Sequence, residues 1–370
     1  MKFPCRGLSC FSSSNSKPSI DINRPEIKPG EQIPENLQIF SFQQLDIATH
    51  GFSSSNKIGE GAFGSVYKGR LGDGSFVAVK VLSVEPESMR GEREFISELA
   101  ALSNIKHENL VNLQGCCVDG AKRYLVYDYM EKNSLAQTLL GNEASRMKFS
   151  WEARRDISLG VAHGLAYLHE KAKPQIVHRD IKASNILLDH NFMPKVADFG
   201  LSRLLREKVS HVSTRVAGTL GYLAPEYAIT GHLTRKSDVY SFGVLLFEII
   251  SGRPAVDFDS ELGEHFIVQK AWQAYKENKL VQVVDTTLNM NFPEEEAFLF
   301  LIVGLLCVQE NAKLRPQIST AVKMLNNEID IRDVEISQPG IVSNLMDIRL
   351  SEKSSSSDRG TASSHSTSYF

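Results

Sequence analysis

The chain has 370 residues, 42% of them hydrophobic and 23% charged, with a formal net charge of −3. That length admits two domains or one two-lobed domain with tails, and the composition is that of a soluble globular protein. The balanced charge gives no reason to expect a nucleic-acid partner. The longest apolar run, Phe298 to Val308, is too short to span a bilayer and reads as a buried core helix. The N-terminus carries no secretory signal, and Lys2 excludes N-myristoylation. The five cysteines, at 5, 10, 116, 117 and 307, show no metal-ligand spacing. Cys116, Cys117 and Cys307 lie in apolar stretches and read as small core residues in a reducing compartment. Cys5 and Cys10 sit near Phe3, Leu8 and Phe11. S-acylation there would give peripheral membrane contact through the N-terminal arm.

In chain order, residues 1–38 are rich in Ser, Pro and Asn without periodicity, and are expected to be disordered. Phe40, Phe42, Leu45, Ile47 and Ala48 then suggest a short amphipathic element that packs on the first lobe. Gly59-x-Gly61-x-x-Gly64 follows, but Ser65 to Lys68 reads as a strand and not as the helix a dinucleotide site needs. Gly72-Asp73-Gly74 turns the chain into a third strand, Phe76 to Leu82. Its alternation puts Ala78, Lys80 and Leu82 on one face and Val77, Val79 and Val81 on the other. A lysine among apolar strand residues needs a carboxylate or a phosphate. A helix over Arg93–Ile105 offers Glu94 and Glu98, and either could meet Lys80 on periodicity. Strands are expected at Leu110–Leu113 with Cys116–Val118, and at Tyr124–Tyr127. A long helix, Ala153 to Lys171, is stopped by Pro174. Then His178-Arg179-Asp180 and Asn185 are followed, thirteen residues after Asn185, by Asp198-Phe199-Gly200. Further helices are expected over Lys236–Ser251, Glu264–Glu277, Glu294–Val308 and Ile318–Ile329. The last stretch is Ser-rich and is expected to be disordered.

These motifs, in this order and closed by Ala224-Pro225-Glu226, resemble the protein kinases over residues 52–328. The stretches Phe40 to Thr49, Leu125 to Met130, Gly218 to Glu226 and Ser237 to Gly243 are similar to plant receptor-like kinases. With no ectodomain or membrane span in view, the chain resembles their cytoplasmic members, including the cold-responsive group. The resemblance implies an α+β, bilobal protein-kinase fold. Its small β-rich N-lobe (about 52–130) has one main helix, and its larger C-lobe (about 131–328) is α-helical. Residues 1–51 would be a flexible arm and lead-in, and 329–370 a Ser-rich disordered tail.

The implied activity is ATP-dependent phosphorylation of serine and threonine in protein substrates, in plant signalling. ATP would be used with Mg2+, or with Mn2+ in its place. The nucleotide would lie under Ile58, Gly59, Glu60, Gly61, Ala62, Phe63, Gly64, Ser65 and Val66. Val66, Ala78 and Leu187 would sandwich the adenine, with Tyr127 as gatekeeper and Asp128 to Met130 as hinge. Lys80 would hold the phosphates, oriented by Glu98, which the family pattern selects over Glu94. Asn185 and Asp198 would bind the metal, since hard oxygen ligands suit that ion. Asp180 would accept the substrate hydroxyl proton with Lys182 beside it. His178 and Phe199, with Leu102 and Leu113, would form an inter-lobe stack anchored by Asp238, and Glu226 would pair with Arg315.

Arg179 beside the catalytic acid calls for an anion. A phosphate on Ser210, Ser213, Thr214 or Thr219 would supply one, with Ser213 and Thr214 the foremost candidates and Thr219 open to a structural reading. An upstream receptor-like kinase is the implied activating partner, and the cytoplasm, including the cytoplasmic face of the plasma membrane, the implied location. The intact Lys80, Asp180 and Asp198 favour an active enzyme over an ATP-binding pseudokinase scaffold. Lys182 with Thr219 favours serine and threonine, and dual specificity toward tyrosine stays open.

Overall fold

The computed structural model describes residues 37–61, 64–84, 89–205, 211–259, 263–331 and 334–342. The expectations for the N-terminal arm with Cys5 and Cys10, for Ala62, Phe63 and Ser210, and for the Ser-rich terminus lie outside them.

The chain opens with strand β1 (Gln38–Ile39) and helix α1 (Phe42–Ala48). Ser41 caps α1 by a capping box, its side chain taking the Gln44 amide while Gln44 reaches back to the Ser41 amide. Strands β2 (Lys57–Gly61), β3 (Gly64–Arg70) and β4 (Phe76–Ser83) lead into helix α2 (Arg90–Leu102). Strands β5 (Leu113–Asp119) and β6 (Lys122–Asp128) complete a six-stranded sheet of order β1-β5-β6-β4-β3-β2. All its neighbours are antiparallel except β1 on β5. The alternation expected in β4 holds. Val77 and Val79 pack with Phe40, Leu45, Tyr124 and Val126 on one face, while Leu82 faces the main core. The lead-in therefore packs on this lobe as expected, but Ile47 points outward, 67% exposed.

The second lobe is mainly helical. Short α3 (Glu143–Arg146) precedes α4 (Trp151–Ala166), whose last turn widens into a π turn over Tyr167–Lys171. Strands β7 (Gln175–Val177), β8 (Ile186–Leu188), β9 (Pro194–Val196), β10 (Arg203–Leu205) and β11 (Val212–Ser213) carry the polar loops between them. Then come α5 (Pro225–Thr230), β12 (His232–Leu233) and α6 (Arg235–Ser251). A hairpin of β13 (Val256–Asp259) and β14 (Gly263–Phe266) is followed by α7 (Ile267–Lys276), α8 (Glu294–Cys307) and α9 (Ile318–Leu325). Helix α6 is buried on nearly all sides, as a helix apolar all round must be. Thr234 caps its start and Gly252, in the left-handed region at φ 62°, ends it. Among the described residues no helix is long and apolar enough to cross a membrane.

Several boundaries differ from expectation. Helix α2 starts at Arg90, ahead of Arg93, and its first turn carries Glu92, paired with Arg123 at 2.8 Å. Leu110 is not part of β5; it bridges to Val196 across the lobes. Residues 263–266 form β14 by pairing with β13, so the helix expected from Glu264 begins at Ile267. Helix α9 stops at Leu325, short of Ile329. Beyond 328, residues 334–342 run against the helical lobe, where the expectation was a disordered tail. Pro339 pairs with Gln309 there. No periodicity marks this segment, because it forms neither helix nor strand and is held by scattered hydrogen bonds and a few apolar contacts.

Candidate active site

The glycine stretch joins β2 to β3, with Gly59 opposite Val66 and Gly61 opposite Gly64. Its glycines differ in purpose. A Cβ on Gly64 would collide with the Val81 carbonyl, so this glycine is dictated by the close approach of β4. A Cβ on Gly61 would meet nothing within 4 Å. That open backbone is what an approaching phosphate requires. Ile58, Gly59, Glu60, Ser65 and Val66 lie on the same hairpin, and Glu60 is tied to Lys57 at 2.9 Å.

Lys80, one strand over, is opposite Val66 and Leu125. Its ammonium meets three carboxylates: Glu94 at 2.5 Å, Glu98 at 2.6 Å and Asp198 at 3.0 Å. Both glutamates that periodicity left open are therefore in contact. Glu98 and Asp198 accept hydrogen bonds from it, and Glu94 meets it as an ion pair. Burial acts to lower the Lys80 pKa, but the three acids outweigh it and hold it well above the usual lysine value. Burial pushes Glu94 up to about 7 despite Lys80, and raises Glu98. Asp198 is lowered, because Lys80 overcomes its burial. Among the described residues, Glu94, Glu98 and Asp198 are the acids close enough to share a cation, and the Lys80 ammonium already lies among them.

Tyr127 is the last residue but one of β6, opposite Ala78, and its hydroxyl donates to Glu98. Burial and Glu98 raise the tyrosine pKa far above its ordinary value, so it stays protonated as the donor. The Asp128 carboxylate is occupied by Gln114 at 2.7 Å and Asn112 at 3.3 Å, which fixes the strand exit leading to Met130. Leu187 lies on β8, half-buried like Val66 and Ala78.

The polar loop between β7 and β8 is held from below by Asp238. Its carboxylate accepts from the amides of His178 and Arg179, each at 2.7 Å, and lies 2.9 Å from His169 Nε2. These bonds hold Arg179 at φ 76°, and Asp198 has φ 66°, two non-glycine residues in the left-handed region. His178 packs edge-on to Phe199 at 4.7 Å, as expected of a packing residue. Around Asp180 the donors converge. Thr219 Oγ1 donates at 2.8 Å, Lys182 Nζ lies at 2.8 Å, and Asn185 Nδ2 donates at 3.1 Å. Lys182 also donates to Thr219 at 2.9 Å. The Thr219 hydroxyl is thus engaged on both sides. Asn185 Nδ2 is committed to Asp180, leaving its amide oxygen, with the Asp198 carboxylate, as the hard donors available to a divalent ion.

Arg179 is buried. Its side chain donates to Tyr227 Oη at 2.6 Å, to the Arg215 carbonyl, and at 3.5 Å to Thr214 Oγ1. Arg203 stands nearby, its pKa lowered by burial and by the Arg179 charge. Ser213 is exposed and Thr214 half-buried. The ion pair expected of Glu226 is present, with both oxygens in the Arg315 fork at 2.8 Å.

Sequence reasoning did not single out Glu248. It is buried in α6, accepting from Tyr222 Oη at 2.6 Å and the Ala255 amide at 2.8 Å. Burial pushes its pKa up to about 8. Between the ordinary glutamate range and that value, the folded state holds a proton the unfolded chain has released. The stability from this group is therefore lost as pH rises through the window. Relative to Glu248→Gln, the parent chain's denaturation midpoint should fall from about pH 5 to about pH 8. Parallel midpoints would exclude this assignment.

The sequence matches the family model of the protein kinase domain over residues 52–326. It is 52% identical over 318 residues to cold-responsive protein kinase 1 of Arabidopsis thaliana, covering 85% of this chain and 81% of that one. It is 64% identical over 246 residues to a putative serine/threonine-protein kinase of Helianthus annuus, covering 66% of this chain and 99% of the relative. A probable LRR receptor-like serine/threonine-protein kinase of Arabidopsis thaliana is 47% identical over 331 residues, 90% of this chain but 31% of that one. With a β-rich lobe and a helical lobe joined through Lys80 and Asp198, and with the family model matching residues 52–326, most of the chain, the chain belongs to the protein kinases.

Proposed function

We propose that the chain transfers the γ-phosphoryl group of ATP to serine and threonine hydroxyls of protein substrates. The family implies ATP with a divalent metal and protein acceptors; Mg2+ suits the donors, with Mn2+ as substitute. The observation that carries the reading is Lys80 bonded at once to Glu98 of α2 and to Asp198 of the other lobe. That arrangement sets a phosphate-binding cation against a metal-binding acid. Lys80 would turn to the α- and β-phosphates under the backbone of Gly59 to Gly64, kept in place by Glu98. Val66, Ala78 and Leu187 would enclose the adenine beside Tyr127 and the Asp128–Met130 hinge. Asn185 and Asp198 would hold the metal, which when bound neutralises phosphate charge. Asp180 would take the hydroxyl proton, with Lys182 close enough to balance charge. Lys182 and Thr219 favour an aliphatic hydroxyl, and the relatives are named serine/threonine kinases. Incubation of the purified chain with labelled ATP, Mg2+ and a generic protein should yield phosphoserine and phosphothreonine. ATP binding without transfer would make it a pseudokinase scaffold, and phosphotyrosine would show dual specificity.

Activation by phosphorylation is supported by Arg179, which reaches Thr214 Oγ1 at 3.5 Å, with the Arg203 charge close enough to be felt by Arg179. Thr219 is less suited, because its hydroxyl is engaged by Asp180 and Lys182. A phosphate on Thr214 or Ser213 would form charge-assisted bonds of roughly 1.5–3 kcal/mol each, enough to shift the segment's equilibrium by about tenfold to a hundredfold. Phosphatase treatment should lower the parent's activity by at least about tenfold. Thr214→Ala or Ser213→Ala should abolish that response. If each variant, and the two combined, respond as the parent does, the switch lies elsewhere.

An upstream receptor-like kinase is the fitting activator, since several relatives bear that name. Contact with the cytoplasmic face of the plasma membrane would run through Cys5 and Cys10. Cys5→Ser with Cys10→Ser should move the chain from membrane to soluble fractions, and an unchanged distribution would rule those thiols out.

A further inference from the structure

Residues 334–342 are attached to the helical lobe from Ser337 onward. The Ser337 amide and hydroxyl donate to Gln309 Oε1 at 3.0 and 2.9 Å. The Glu310 amide donates to the Gln338 carbonyl at 3.1 Å, and the Gly340 amide to the Val308 carbonyl at 3.2 Å. Tyr240 Oη donates to the Gly340 carbonyl at 2.7 Å. Pro339 and Gly340 are buried. Gly340 lies so close to the start of α5 that an added Cβ would stand 2.5 Å from Pro225 Cγ and 3.1 Å from the Glu310 Cα. Just beyond, Ile341 and Val342 line one apolar recess with Gly221, Leu223, Phe266 and Val268.

Besides these groups of the helical lobe, the segment meets the stretch of chain that runs from Gly221 to Pro225. Thr219 stands on Asp180, Gly221 and Leu223 face Ile341 and Val342, Pro225 faces Gly340, and Glu226 is locked in the Arg315 fork. The Arg315 guanidinium in turn lies 5.0 Å from the centre of the Tyr240 ring, the side chain that bonds Gly340. Thr219 Oγ1 lies 2.8 Å from Asp180, so this stretch begins beside the place where an acceptor hydroxyl would be brought. The strap backs that stretch from behind. The hydrogen bonds described above for the strap end on Val308, Gln309, Glu310 and Tyr240, on the helical lobe, and those of Lys80 end on Glu98 and Asp198.

We propose that residues 334–342 are a positioning element for the protein acceptor, clamping the 219–225 platform without serving the nucleotide. The proposal rests on the phosphotransfer reading above. It is tested by comparing the full chain with Gly340→Ala, which wedges the strap off Pro225, and with a chain ending at residue 333. The KM for a protein or peptide acceptor should rise about tenfold in both, as for a small displacement of a positioned reactant. The KM for ATP and the rate of ATP hydrolysis without acceptor should stay within about twofold of the parent. An acceptor KM that stays within about twofold of the parent in both overturns the proposal, as does a parallel loss of ATP hydrolysis, which would mark a merely structural strap. Should the shortened chain not fold, Gly340→Ala decides alone by the same criteria. A parent chain that transfers no phosphate at all counts against the phosphotransfer reading; the strap is then judged on acceptor binding, which Gly340→Ala should still weaken about tenfold.

Discussion

Replacing Asp180 by Asn is expected to lower kcat by about 10²–10⁴-fold, the usual range for losing a general base. The KM for ATP should remain close to that of the parent, because Asp180 does not face the glycine hairpin. The substitution nearly preserves shape, but its chemistry conflicts with the site. Thr219, Lys182 and Asn185 all present donors to the two carboxylate oxygens. An amide would set its own NH2 against one of them and could accept no proton. Single-turnover measurements across the pH range would separate chemistry from product release. A variant that keeps kcat within about threefold of the parent would remove Asp180 from the role of base.

Lys80→Met should have two separable consequences. The first is kinetic: loss of a positioned cation from the phosphates should lower kcat by about 10²–10³-fold, the scale for removing one preorganised charge-stabilising donor. The second concerns stability. Without Lys80, Glu94, Glu98 and Asp198 are left together without their shared cation. Breaking a buried ion pair on one side costs roughly 3–5 kcal/mol, but these acids can lessen the cost by taking up protons. The Glu94 carboxyl is already raised to about 7 with the lysine present. Removing the cation pushes the folded-state values further up, so the variant's deficit should grow as pH rises above the ordinary carboxylate range. Urea denaturation of both proteins from about pH 5 to about pH 8 measures this directly. A difference in stability that is flat with pH would mean the three acids do not depend on Lys80 as their geometry suggests.

The site was legible in the sequence where chemistry demands a fixed residue type at a fixed spacing. Lys80 in an apolar strand, Asp180 with Asn185, and Asp198 before Phe199 could be read directly, because few side chains satisfy those constraints. The choice between Glu94 and Glu98 was not decidable from periodicity, since both fall on the face of α2 that meets β4; the structure brings both to Lys80. Features held by long-range pairing left little trace. Strand β14 was read as the start of a helix, because Glu264 to Phe266 continue into a helical pattern and pairing with β13 leaves no local mark. The buried pair Arg154–Asp285, at 2.7 Å with the remaining guanidinium donors on the carbonyls of Phe149, Ile249 and Ile250, joins residues 131 apart. The strap after residue 333 was hidden for the same reason. Its hydrogen-bond partners are main-chain groups and two side chains far away in sequence, Gln309 and Tyr240, which no local pattern announces.

The parallel pairing of β1 with β5 bears on how the protein can be handled in isolation. Gln38 lies so close to Gly115 that only a glycine fits beneath it, and the Phe40 amide donates to the Cys116 carbonyl at 2.9 Å. A recombinant form started at residue 52, where the family match begins, would strip this cover away. The rim of β5 would then offer unpaired amides and carbonyls, with Cys116 and Cys117 beside them, to any neighbouring molecule. Such a form invites intermolecular strand pairing during purification, whereas one started before Leu37 keeps the rim closed.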